Sequence, residues 1–104
     1  MMKFRELLPI GSVVLLKNAQ KKIMIIGLMP IKHMESGEDV AYDYIGVPYP
    51  EGYIGHESAM LFKHESIEEV AFMGYSNDER ITMIEAVQKI VDTADDTIRN
   101  QSNN

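Results

Sequence analysis

The apolar positions of this chain come first as short runs and last as a helical stripe. Val13-Val-Leu-Leu16 and Ile23-Met-Ile-Ile26 flank the polar stretch Lys17-Asn-Ala-Gln-Lys-Lys22. Their length and β-branched content predict two strands joined as a hairpin. Neither run alternates cleanly, so both faces should be covered, as in a small closed barrel or a sheet with a helix against it. Upstream, residues 2–8 are expected to make a short helical turn with Phe4, Leu7 and Leu8 facing inward. Pro9 and the entry turn Gly11-Ser12 end it. Gly27 and Pro30 should close the second strand, and Lys32 to Asp39 reads as a polar loop. Val40 to Ile45 resumes strand character, with Val40, Tyr42 and Tyr44 on one face. His56 to Phe62 is expected to be irregular or one helical turn. Ile67 to Tyr75 fits both periods, but Val70, Phe72 and a stop at Gly74 decide for a strand.

The last element is a helix. Ser76-Asn-Asp-Glu79 matches a capping box, in which the serine hydroxyl and the glutamate carboxylate satisfy orphan amides. Ile84, Val87, Val91, Ala94 and Ile98 follow 3-4 spacing, Ile81 extends the stripe backwards, and Glu85, Lys89, Asp92 and Asp96 lie opposite. This predicts an amphipathic helix of roughly 20 residues, about 30 Å long. That is long for so small a sheet, so its far end around Val91, Ala94 and Ile98 is a candidate contact with a second copy, as a homodimer, or with another protein. The expected fold class is α+β: a small curved antiparallel sheet or SH3-like partial barrel, then a long C-terminal amphipathic helix packed on it. One domain should span 1–99, with the sheet over about 10–75, the helix over about 77–99 and a flexible tail at 100–104.

Composition narrows the function classes. With 104 residues, 45% hydrophobic and 25% charged, the chain suits one globular domain with a modest core. No run approaches the roughly 18 apolar residues that span a bilayer, and the N-terminus lacks the apolar region of a signal peptide. The absence of cysteine excludes disulfides, thiolate catalysis and cysteine-based zinc sites, which fits a cytoplasmic protein. The net charge of −6 opposes binding to nucleic-acid phosphates or anionic lipid.

Candidate chemistry is sparse. His33, His56 and His64 lack the spacing that sets two imidazoles on one helical face, so no metal site is expected. Ser12, Ser36, Ser58, Ser66 and Ser76 lack a nucleophile elbow, and Gly46, Gly52 and Gly55 form no phosphate loop. No catalytic residue and no cofactor is expected, and the chain does not read as an enzyme. The informative segment is Tyr42-Asp-Tyr-Ile-Gly-Val-Pro-Tyr-Pro-Glu-Gly-Tyr53, which holds four of the five tyrosines. Tyrosine offers a large apolar face with a polar tip, while proline and glycine fix an irregular path. Tyr42, Tyr44, Tyr49 and Tyr53, shaped by Pro48 and Pro50, are either packed over the sheet or form a protein-recognition surface.

Several phrases occur together in order: Leu8-Pro-Ile-Gly-Ser-Val-Val-Leu-Leu-Lys17, Ile23-Met-Ile-Ile-Gly27, Tyr42-Asp-Tyr-Ile-Gly46 with Tyr49-Pro-Glu-Gly52, and Leu61-Phe62 followed by His64 and Ile67-Glu-Glu-Val70. Over roughly residues 7–75 the chain thereby resembles the bacterial domain-of-unknown-function family 4176. Lys63 departs from the family's commoner asparagine, so no ligand role transfers to that position. Members are small proteins of Gram-positive bacteria, often encoded in type VII secretion loci near LXG-type toxins. The resemblance implies an accessory role that binds a secretion substrate or machinery component, and it supplies no catalytic residues. An immunity protein that neutralises a cognate toxin is the alternative. A small ligand-binding or enzymatic domain is a third reading, which a pocket joining the tyrosines to His56 or His64 would favour.

Overall fold

The structure, a computed structural model, describes residues 4–102, with side chains at Phe4 and 6–94. Its fold is α+β. Seven strands run in order: β1 (Val13–Leu16), β2 (Ile23–Leu28), β3 (Ile31–His33), β4 (Asp39–Ala41), β5 (Tyr44–Pro48), β6 (Met60–Phe62) and β7 (Ile67–Phe72). Five form an antiparallel sheet in the order β6-β5-β2-β1-β7, and β3 pairs with β4 in a separate hairpin. The two edges, β6 and β7, do not pair with each other. The sheet is therefore open, and bulges bend it: the register slips twice between β1 and β7 and once between β2 and β5.

Antiparallel partners share a face, so the register sorts the side chains. Val14 pairs with Ile23, Ile25 with Gly46, and Tyr44 with both Leu28 and Phe62. Val14, Ile23, Ile25, Tyr44 and Phe62 are all buried on this core face. Gly46 is required there because a Cβ would press on Ile23 and lie 3.2 Å from Phe62 Cε1. On the other face Phe72 pairs with Val13, Val13 with Met24, and Met24 with Val47.

Three local expectations change. Lys32 to Asp39 is not one loop: His33 pairs with Asp39 across the β3–β4 hairpin, closed by Gly37 at φ +92°. The segment Val40 to Ile45 is not one strand. It breaks at Tyr42-Asp43 between β4 and β5, so Tyr42 and Tyr44 belong to no common strand face. Beyond a three-residue 3-10 turn at His56–Ser58, the stretch to Phe62 forms β6.

The sheet and hairpin make one compact unit from Leu8 to Tyr75; the segment ending at Leu7 and the chain from Ser76 onward make a second. In the second, α1 (Asp78–Ser102) contacts a 3-10 turn at Phe4–Glu6, and Arg80 Nη2 donates to the Leu7 carbonyl at 3.0 Å. The helix runs past residue 99 to Ser102, and residues 103 and 104 lie outside the described residues. Ile84 is buried, with Val87 and Val91 half-buried, as the stripe predicts. Ile81 instead faces outward and Gln88 is buried, its amide donating to Asp92 at 2.9 Å.

The helix cap is also one residue later than the capping-box reading. Asn77 Oδ1 accepts from the Arg80 N–H at 2.9 Å, and the Asn77 carbonyl accepts from the Ile81 N–H at 3.0 Å. Asparagine is as good a cap as serine, and this frame puts Arg80 rather than a glutamate at the third position, so no reciprocal box forms. Replacing Asn77 with alanine should lower unfolding free energy by about 1 kcal/mol in urea denaturation. Ser76→Ala should stay within about 0.5 kcal/mol.

Candidate functional site

The other face of the sheet, where Val13 and Val47 are also buried, opens into an apolar cleft of about 420 Å³. Val13 and Met24 form its floor, Tyr49 and Phe72 its walls, and Lys22 its rim. The walls are open to solvent: Tyr49 is 50% and Phe72 62% exposed. Both arrive there by strand arithmetic. Phe72 shares a face with Val13 because a register shift separates the Val13 and Val14 pairings of β7. Tyr49 follows Val47 by two, and Val47 sits on the same face as Met24.

The Tyr49 wall is held in place. Its N–H donates to the Lys22 carbonyl at 2.9 Å, and the Gly52 N–H donates to the Pro48 carbonyl at 2.7 Å. The next residue but one is tied as well: Lys21 Nζ lies 2.6 Å from Glu51 Oε1 and 2.7 Å from Oε2. This hydrogen bond, before any longer-range attraction, holds the Glu51 carboxyl below the usual glutamate range. An aromatic ring on a pinned loop loses little further entropy when it is covered.

A second, polar cleft of about 590 Å³ is lined by Lys32, His33, Tyr42 and His56, among others. His33 Nδ1 lies 2.6 Å from Asp39 Oδ1, and His56 Nδ1 lies 3.3 Å from the Tyr53 hydroxyl. It brings the Lys32 ammonium together with the hydrogen-bonding rings of His33, Tyr42 and His56. Among the described residues no group of three or more His, Cys, Asp or Glu is placed to hold a metal ion.

The predicted site residues therefore separate. Tyr44 leaves the surface altogether: it is 0% exposed, its oxygen accepts from the Leu8 N–H at 3.0 Å, and it lies 2.6 Å from His64 Nδ1. Tyr49 and Tyr53 are outward, Pro50 is exposed, and Tyr42 and Pro48 are half-buried. Tyr53 does not line the apolar cleft, whereas Tyr42 lines the polar one. On α1, Val91 is half-buried and Ala94 exposed, while the side chain of Ile98 lies outside the described residues. Phe72, Val13 and Met24 were missed as site residues because their strands read as core. The one signal available was Glu68-Glu69 in β7, which marks an edge exposed to water.

A family model described as a domain of unknown function, DUF4176, matches residues 7–83. No curated protein and no solved structure matches the chain. No helix among the described residues is long and apolar enough to cross a membrane.

The Lys21–Glu51 pair is half-exposed, so its worth is small and falls with added salt. Because the folded-state pKa of Glu51 is depressed, that contribution is complete above the unfolded value and vanishes as the pH falls through the folded one. Glu51→Gln should therefore show a slightly lower Tm than the parent above the usual glutamate range, and the gap between the two melting curves should close as the pH falls below that range.

Proposed function

The chain belongs to the DUF4176 family, and from the geometry of the apolar cleft we propose that it is a non-enzymatic protein-binding accessory factor. The observation that carries this reading is the pair Tyr49 and Phe72, two half-exposed aromatic walls over an apolar floor on a fixed frame. Large rigid aromatics around a small apolar hollow are what interface hot spots use. The partner proposed is an LXG-type toxin or a component of the type VII secretion machinery, met on the cytoplasmic side before export. That part draws on the family's genomic company.

One observation favours a second reading. The polar cleft joins Tyr42 to His33 and His56 beside Lys32, a donor-rich hollow suited to a small anionic ligand. Such a role needs no toxin and no aromatic cleft.

The double variant Tyr49→Ala, Phe72→Ser should lose co-purification with the toxin's N-terminal targeting region, weakening it about tenfold or more. Its unfolding free energy should change by no more than about 1–2 kcal/mol, since both rings are largely outside. Parent-like capture by this variant defeats the cleft reading. Capture of the toxic C-terminal domain instead would make the chain an immunity protein.

A further inference from the structure

We propose that the outer edge of β7 takes up an extended segment of another protein as an added strand, with a basic side chain beside Glu69 and a large apolar one beside Phe72. The proposal rests on the cleft reading for its apolar contact and adds a backbone pairing which that reading does not need.

Strand β7 is an edge: β1 pairs with one side, and no strand among the described residues pairs with the other. Five of its six residues are exposed. A strand edge presents a row of amides and carbonyls spaced for another extended chain, which selects the shape of the occupant before any side chain is considered. Register selects the chemistry. Glu69 pairs with Leu15 and Phe72 with Val13, and these two β1 residues, two apart, share the cleft face. An added strand would therefore set two of its own residues, also two apart, against Glu69 and Phe72. Cross-strand neighbours favour opposite charge at the first and an apolar partner at the second. The apolar side chain then reaches the hollow floored by Val13 and Met24.

Charge disfavours the simplest occupant. Pairing β7 with β7 of a second copy would bring Glu68 and Glu69 to both sides of one seam, in a chain whose net charge is already −6. The same glutamates that keep copies apart select a basic segment.

The test uses the full chain, labelled for NMR, and a synthetic peptide of about ten residues alternating lysine with valine around one central phenylalanine, long enough to cover β7. Binding should slow hydrogen exchange at amides between Glu68 and Phe72. Methylation of alternate peptide nitrogens should abolish it, and glutamate in place of lysine should weaken it about tenfold. The variant Glu68→Lys, Glu69→Lys, which changes only exposed side chains, should reverse the preference between the two peptides. No binding overturns the proposal. So does equal binding of the methylated peptide, and so does slowed β7 exchange that follows the concentration of the chain alone, which would reveal a second copy. If the methylated peptide binds equally while Tyr49→Ala, Phe72→Ser still loses the toxin region, strand addition fails and the cleft reading stands. If methylation abolishes binding while that double variant still captures the toxin region, the cleft reading fails on its own.

Discussion

The buried hydroxyl of Tyr44 joins three parts of the sheet unit that are far apart in sequence. Its ring packs on Phe62 with centroids 5.3 Å apart, and its oxygen meets both the Leu8 amide and the His64 ring. Asp43, one residue earlier, accepts from the His64 N–H at 2.8 Å. The lead-in to β1, the strand β5 and the 3-10 turn at His64–Ser66 that launches β7 are thus fixed to one another. A polar group this deeply buried costs about 1–3 kcal/mol if left unpaired, so the arrangement strongly favours one geometry. Where β7 starts decides where it lies along β1, and the cleft follows from that.

The two bulges between β1 and β7 then determine what the cleft face carries. An unbroken ladder would continue from Leu16–Ile67 in strict alternation; the slips instead carry Glu69 to Leu15 and Phe72 to Val13. Bulges re-aim side chains by shifting which residues lie opposite each other. Here they put Glu69 in place of Glu68 on the cleft side and bring Phe72, rather than Val70, level with Val13. The pinned loop after β5 supplies the opposite wall, so the concavity owes its shape to hydrogen bonds made elsewhere.

Much of this was legible from residues. The apolar runs gave β1 and β2 nearly to the residue, Gly74 settled β7 against its helical spacing, and Ile84, Val87 and Val91 marked the inward stripe of α1. The β3–β4 hairpin was not legible, because Ile31, Lys32 and His33 are all exposed and hydropathy says nothing about a strand with no buried face. The shift of the cap from Ser76 to Asn77 reflects two adjacent residues that cap equally well. The cleft stayed hidden for a different reason. It depends on register slips, which are a property of pairing between strands some fifty residues apart in sequence and leave no mark on either strand alone.

The tyrosine-rich segment shows why burial and exposure are not alternatives for it as a whole. Tyr44 and Tyr49 are five residues apart, an odd interval, so strand alternation sends them to opposite faces. The first lies sealed on the core side and the second stands half-exposed on the cleft side. Pro48 pairs with Ile23 on the core side between them, and the Tyr49 N–H closes onto Lys22. One short stretch therefore spends an aromatic ring on rigidity and presents another on the frame so made. In a chain of 104 residues with a modest core, the rigid support and the displayed ring have to be built from the same few residues.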